Sequence, residues 1–276
     1  MTGVIATVIP ALDEAVHVER AIASARPLGP VIVVDGGSTD DTRELAEAAG
    51  AAVLDHPWQG YAAQKNWALQ HAGDSEWVLF LDADEWVTPE LRAEIERRIS
   101  AAGPDGFYLP RRNIFLGRVL NHAWWYPDYQ LRLFRRRAGR YEDRLVHEHV
   151  LLDGEPGFLE QPLMHENLKG LDAFVERHLR YAELEAAEIL RAREGRNEGQ
   201  RRGSFFGSWP DRRRAIKLHL WYRMPARPAV RFLWLYVVKR GFLDGREGRV
   251  YCELIGTYEA LIDAKLLELE QGTERL

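Results

Sequence analysis

Four short apolar runs, Val4–Ile9, Val31–Asp35, Ala52–Asp55 and Trp77–Leu81, alternate with Ala- and Leu-rich stretches at Ala15–Ala25, Thr42–Ala49 and Tyr61–Ala72. This alternation constrains the fold more than any other feature. The runs are too short for helices and apolar throughout, as strands buried on both faces are. The intervening stretches carry helical spacing. Strands and helices joined by short links predict an α/β fold, a mostly parallel sheet covered by helices. Ligands of such sheets bind beyond the carboxyl ends of the strands. Acidic groups stand at those ends: Asp13-Glu14 after the first run, Asp35-Gly36-Gly37 after the second, Asp82-Ala83-Asp84-Glu85 after the fourth.

Ser38-Thr39-Asp40-Asp41 reads as a capping box for the second helix. Thr88-Pro89 reads as another helix start, because proline at the first helical position gives up no hydrogen bond. From Gly106 to His165 the pattern turns irregular and aromatic, with strand-like pieces at Phe107–Pro110, Gln130–Arg135 and Phe158–Met164. A long amphipathic helix follows at Leu171–Arg193, then a polar, basic linker at Gly195–Pro210. Further helices are expected near Pro228–Arg240 and Gly248–Gln271, separated by Gly241-Phe242-Leu243-Asp244-Gly245. The expected organisation is one domain over 1–168, in two parts at 1–105 and 106–168, with a helical appendage over 169–276.

The 276 residues carry a net charge of -5 that hides two opposed regions. Residues 1–110 hold 7 Lys/Arg against 18 Asp/Glu, whereas residues 191–249 hold 16 basic and 5 acidic residues. An acidic half suits a cation; a basic segment suits an anionic partner. That segment also contains Phe205, Phe206, Trp209, Trp221, Tyr222, Phe232, Trp234 and Tyr236. Basic groups with interfacial aromatics suggest attachment to an anionic membrane surface, with a core of aromatics under a solvated basic face as the other reading. No nucleic-acid-binding module is recognisable. Cys252 is the only cysteine and pairs with nothing internal, which fits a reducing cytoplasm. The start lacks the pattern of a signal peptide, and no apolar stretch approaches the ~20 residues of a spanning helix, so an integral membrane protein is not expected.

Asp82 and Asp84 are the sharpest local signal. Two carboxylates so close repel unless a cation or donors compensate, and a hard divalent ion, Mg²⁺ or Mn²⁺, does so while bridging to phosphate oxygens. Other chemistries lack their motifs. There is no G-x-G-x-x-G after the first run, no P-loop, and His147-Glu148-His149-Val150-Leu151 ends in leucine where a zincin needs histidine.

Three ordered segments, Thr7–Glu14 (TVIPALDE), Val33–Thr42 (VVDGGSTDDT) and Phe80–Glu85 (FLDADE), resemble the signature of family 2 glycosyltransferases. Gly60–Ala68, Trp125–Phe134, Val146-His147-Glu148 and Gly241–Gly245 resemble its lipopolysaccharide-core β-1,4-glucosyltransferase branch. Most of the chain is covered, Arg191–Pro225 least. The resemblance implies a GT-A fold, Rossmann-like, and inverting transfer from a nucleotide-sugar, a UDP-sugar first, to a glycolipid or saccharide acceptor. Residue by residue, it implies that Pro10 and Glu14 line the nucleobase and ribose pocket and that Asp35, with Gly36, meets the base. Asp82 and Asp84 would serve ribose, diphosphate and metal. Before Glu14 the family has Tyr-Asn, where this chain has Leu12-Asp13.

An inverting displacement needs a general base for the acceptor hydroxyl. Glu148, in the Val-His-Glu segment, is the expected base. His147 and His165 are alternatives for completing the metal site, and each also reads as a packing histidine. Lys65 is either a donor-site cation or a solvated helix lysine. Trp124, Trp125 and Tyr126 are expected to stack on acceptor sugars, with Asp128 and Arg132 orienting them; core packing is the other reading of the aromatics. Asp244 reads equally as a helix-to-helix turn. A sugar nucleotidyltransferase and a catalytically silent membrane-binding scaffold are the rivals. The expected place of work is the cytoplasm or the inner face of the cytoplasmic membrane.

Overall fold

In the computed structural model the described residues are 5–101, 103–124, 126–142, 149–193, 221–224 and 226–273. They form two compact units, divided between Lys169 and Gly170.

The first unit contains β1 (Ile5–Ala11), α1 (Val18–Ala25), β2 (Val31–Asp35), α2 (Thr42–Ala48), β3 (Ala52–Asp55), α3 (Tyr61–Gln70), β4 (Trp77–Phe80), β5 (Glu85–Val87) and α4 (Pro89–Ile99). Then come β6 (Gly106–Phe115), β7 (Arg118–Leu120), β8 (Asp128–Arg135), β9 (Gly139–Tyr141), β10 (Val150–Leu152), β11 (Pro156–Phe158) and β12 (Leu163–Glu166). One sheet runs in the order β3-β2-β1-β4-β8-β6-β12-β5, with β7 and β11 paired to β6; β9 and β10 form a separate hairpin pair. β1 to β4 are mutually parallel. β8 runs antiparallel to β4 and β6, while β12 is parallel to β6 and antiparallel to β5.

These directions decide what meets at one edge. The carboxyl ends of β1, β2, β4, β6 and β12 all face it, together with the amino ends of β5 and β8. Sequence-distant polar residues therefore converge there: the loops after β1 and β2, Asp82 and Asp84 after β4, Glu85 at the start of β5, and His165 near the end of β12.

The strands are fixed by burial. Ile5, Ile9, Val33, Trp77, Leu79 and Leu81 pack against α1 and α4, while Ala6, Val8, Val34, Val78 and Phe80 pack on the opposite face against α3. A Cβ at Gly29, where φ is +154°, would stand 2.2 Å from the Ile5 carbonyl, so only glycine closes the turn into β2. Thr88 caps α4, accepting from the Leu91 N–H at 3.1 Å, with Pro89 at the first position as expected.

Two expectations are corrected here. Ser38 does not cap α2, whose N-cap Asp41 makes no side-chain cap bond. Ser38 instead binds Asp35, and the polar run ties neighbouring loops together. The piece Phe158–Met164 is two strands, β11 and β12. The buried carboxylate of Glu94 captures the N–H groups of Glu160 (3.1 Å) and Gln161 (2.8 Å) between them and breaks the extended run.

The second unit contains α5 (Gly170–Arg193), a 3-10 turn at Trp221–Arg223, α6 (Arg227–Leu233) running into a π-helical turn at Trp234–Val238, a 3-10 turn at Gly241–Asp244, and α7 (Gly245–Thr273). Ala182, Ala186 and Ile189 of α5 pack on Ile262 and Leu266 of α7 around Tyr222. The Tyr222 hydroxyl donates to Glu185 at 2.5 Å, and buried Arg227 pairs with Asp263 at 2.8 Å. No described helix is long and apolar enough to cross a membrane. The linker Gly195–Pro210 lies outside the described residues.

Candidate active site

The loops after β1 and β2 lock together through side chain–backbone bonds. Asp13 takes a left-handed backbone (φ +54°), which aspartate tolerates, and turns the chain sharply. Its carboxylate accepts from the Thr39 N–H at 2.7 Å, while its own N–H donates to Ser38 Oγ at 2.9 Å. The Glu14 N–H donates to Thr42 Oγ1 at 2.7 Å, and the Ala15 N–H to Asp40 at 3.1 Å. The buried Asp35 carboxylate accepts from the Gly37 N–H at 3.1 Å and from the Ser38 hydroxyl at 2.5 Å. As the side chain stands, Asp35 organises its own turn. A Cβ on Gly36 would lie 3.4 Å from the Ala11 carbonyl and 3.5 Å from the Trp58 ring, ordinary contact distances, so the position is close-packed but has room for a methyl group. Pro10 sits half-buried on β1 opposite Val34.

Glu14 is bonded on both oxygens, to Lys169 Nζ at 2.7 Å and His17 Nδ1 at 2.6 Å. The Leu168 N–H donates to His17 Nε2 at 2.7 Å. With Nε2 accepting, the proton sits on Nδ1 and is donated to Glu14. Buried His17 thus pins the loop after β1 to the segment leaving β12. Nothing in the spacing of the sequence singles it out.

At the end of β4, Asp82 faces two cations. Arg132 Nη2 bonds its carboxylate, and Lys65 Nζ lies 3.7 Å away. Burial pushes the Asp82 carboxyl up, but Arg132 and then Lys65 outweigh it and hold it well below the ordinary range. Arg132 also donates to Glu85 Oε1 at 2.9 Å. For Glu85 burial dominates, and with the Asp82 charge it pushes the carboxyl up against the pull of Arg132 and Arg111. Arg132 reaches both acids because of a register shift. Phe107 pairs with Leu133 and Tyr108 with Leu131, leaving Arg132 as the extra residue of a β-bulge, a device that re-aims a side chain.

Lys65 is nine-tenths buried, with Nζ 5.2 Å from the Tyr141 ring centre, so it is not a solvated helix lysine. Asp84 Oδ2 lies 3.2 Å from His165 Nε2 and accepts from Asn167 at 3.3 Å. His165 is buried, and among the described residues its Nδ1 has no hydrogen-bond partner. Among the described residues no three His, Cys, Asp or Glu gather to cage a metal. Two carboxylates do fit a hard cation whose coordination is completed by substrate phosphates, the usual way Mg²⁺ is bound.

On the expected acceptor side, Asp128 accepts from Arg111 at 2.7 Å and from Gln130 at 2.9 Å. Arg112 lies 4.4 Å over the Tyr126 ring, and the Trp124 ring lies edge-on to His165 at 5.8 Å. Arg132, expected beside the acceptor, is committed to Asp82 and Glu85 instead. Trp125, His147 and Glu148 lie outside the described residues. Sequence reasoning placed Glu85 at the fourth strand end but gave it no role of its own, and it passed over Arg111 and Asn167.

A sequence model described as Glycosyl transferase family 2 matches residues 7–150, just over half of the chain. The chain is 27% identical over 261 residues to the lipopolysaccharide core biosynthesis glycosyltransferase LpsC of Rhizobium meliloti (strain 1021), covering 92% of this chain and 85% of that one. It is 25% identical over 278 residues to an uncharacterized glycosyltransferase of Rickettsia typhi, covering 96% and 87% respectively. Among solved structures, the mannosyltransferase PcManGT from Pyrobaculum calidifontis, in complex with GDP-Man and Mn²⁺, matches with a TM-score of 0.54 at 15% identity, covering 96% of this chain and 87% of that one. At that identity the likeness is one of fold.

Proposed function

The chain belongs to glycosyl transferase family 2, and from that premise we propose that it moves a hexose from a nucleotide-sugar, a UDP-sugar first, to a lipid-linked saccharide of lipopolysaccharide-core type, with inversion. The observation that carries this is the single sheet edge on which Asp82, Asp84, Lys65 and Arg132 meet the loops after β1 and β2. The likeness to LpsC supports the acceptor class. Residues 1–105 are proposed as the donor half and 106–168 as the acceptor half, with work at the cytoplasmic membrane face.

In this proposal the base and ribose rest along Pro10, Glu14, Asp35 and Gly36, where interlocked loops give a rigid floor. Lys65, held over Tyr141, sets positive charge beside the diphosphate position. Asp84, with Asp82, would hold Mg²⁺ or Mn²⁺, which supplies charge stabilisation at the leaving diphosphate. Arg132 and Lys65 keep Asp82 ionised for that role. Glu148 takes the proton of the acceptor hydroxyl while its oxygen bonds to the anomeric carbon. The bond to the diphosphate breaks in the same displacement, and nucleoside diphosphate leaves. Trp124 and Tyr126 offer ring faces to the acceptor, and Asp128 and Arg111 line its approach.

The test is a thermal-shift panel of UDP-, GDP-, ADP- and CMP-sugars, each with and without Mn²⁺. A Tm rise confined to one nucleotide class and dependent on the cation supports the proposal. No rise with any donor overturns it.

A further inference from the structure

The second unit exposes a cluster of large apolar side chains that its own core does not use. Leu233, Trp234, Val237, Val238, Phe242 and Leu243, within eleven positions, are each between 41% and 57% exposed. They occupy the end of α6, the π-helical turn and the following 3-10 turn. Ring contacts make this one surface. Phe232 stacks on Tyr236 at 5.3 Å, and Tyr236 meets Phe242 edge-on at 6.1 Å.

The backbone there is not an ordinary helix end. The π turn inserts an extra residue per turn, and Arg240 takes a left-handed conformation (φ +60°), which folds the chain back on itself. Leu235 alone of the turn's aliphatic residues points inward, at 4% exposure. Arg227 and Asp244 are buried in the same stretch while these large apolar side chains are exposed, the reverse of a solvated helix end. Clustered apolar exposure of this kind marks an interaction surface.

The charges around it choose the partner. Residues 227–249 contain six Arg/Lys and two Asp/Glu, and of the acids Asp244 is buried. Arg240 and Arg246 are exposed at the rim, and Lys239 Nζ lies 5.8 Å from the Trp234 ring centre. A lysine ammonium over an exposed tryptophan, with two exposed arginines nearby in sequence, matches the acyl–headgroup boundary of an anionic bilayer, where Trp sits at headgroup level and basic groups reach the phosphates.

We infer that the turn Leu233–Leu243 is a membrane-seating edge. Trp234, Val237, Val238, Phe242 and Leu243 enter the interface of an anionic lipid bilayer, and Lys239, Arg240 and Arg246 contact lipid phosphates. The inference rests on the proposed lipid-linked acceptor and adds the surface on which the enzyme would meet it.

The full chain is tested by flotation with vesicles of phosphatidylcholine containing 30% phosphatidylglycerol, alongside pure phosphatidylcholine. The variants are V237D/V238D and K239E/R240E/R246E, with circular dichroism and Tm as controls of folding. Wild type is expected to float with anionic vesicles, each variant to lose at least about tenfold of its partition, and Trp fluorescence to shift blue only where binding occurs. Flotation of V237D/V238D at the wild-type level overturns the inference. A change from dimer to monomer in light scattering, with vesicle binding unaltered, overturns it in favour of a second copy of the chain. Free phosphate that failed to displace the vesicles while 0.5 M NaCl weakened them would support a headgroup array over a single phosphate site; displacement by millimolar phosphate alone would overturn it. The UDP-sugar thermal shift, run on the same proteins, reports separately on the catalytic proposal.

Discussion

Arg132 bonds Asp82 and Glu85 at once, with Nη2 donating to Glu85 at 2.9 Å. It is the cation that bridges the two acids beyond β4, with Lys65 nearer Asp82 and Arg111 nearer Glu85. Replacing it leaves Asp82 with Lys65 alone and Glu85 with the more distant Arg111 alone, in a poorly solvated place. R132M is expected to lose about 3–5 kcal/mol of stability, towards the lower figure because water reaches part of Asp82. R132K, which keeps the charge without the fork, should lose less. Urea denaturation of the three proteins measures this. Equal stability of R132M and wild type would show that the pair is dispensable.

How much of this was readable from residues alone divides along physical lines. Ala52–Asp55 coincides with β3, but as the edge strand it has no buried residue, contrary to the expectation of a strand covered on both faces. Val31–Asp35 coincides with β2, and Leu171–Arg193 is within a residue of α5, because continuous burial and helical periodicity leave a direct imprint on composition. The acidic strand ends were readable for the same reason. The bulge that aims Arg132 was not, since it depends on the pairing of β8 with β6, and pairing leaves no trace within either strand. Ser38 and Asp41 carried the right residue types for a capping box, yet the Ser38 hydroxyl bonds Asp35 and the Asp13 N–H, and Asp41 makes no side-chain cap bond. His17 escaped notice because its partners, Glu14 and Leu168, are three and 151 positions away.

That histidine supports a second prediction. Its two nitrogens join the loop after β1 to the chain leaving β12, and loss of the ring leaves the Leu168 N–H without its acceptor. H17A is expected to cost about 1–3 kcal/mol. H17Q, whose carbonyl reaches the Nε2 position, should recover part of this. Because Asn167 beside Leu168 bonds Asp84, H17A should also raise the donor KM more than it lowers kcat. A fall in kcat alone would place His17 elsewhere in the mechanism.

The helical unit carries a pH dependence of its own. Burial lowers the pKa of His178 from the ordinary 6.5, with Arg177 adding to the effect against the Phe174 carbonyl that binds Nδ1. The folded state therefore holds its proton less tightly than the unfolded chain. Stability from this group is complete above pH 6.5 and declines as pH falls below it, by at most about 1.4 kcal/mol per unit. Urea midpoints between pH 7.5 and 5 should fall for wild type and fall less for H178Q. Parallel curves would remove His178 from the account.

The sharpest separation lies between holding the donor and moving the proton. Asp84 stands at the carboxyl end of β4, within reach of His165 and Asn167. If it holds the cation that meets the diphosphate, D84A should abolish the Mn²⁺-dependent Tm rise with a UDP-sugar and with it all transfer. Glu148, proposed as the base, makes no demand on donor binding. E148Q should keep the full Tm rise, because the amide preserves shape, while kcat falls about 10²–10⁴-fold. Removing the base also removes the pH dependence it confers, so residual turnover in E148Q should no longer rise with pH across the acid limb. Unchanged turnover in E148Q would move the base to another residue, and a Tm rise retained in D84A would move the cation away from the β4 end.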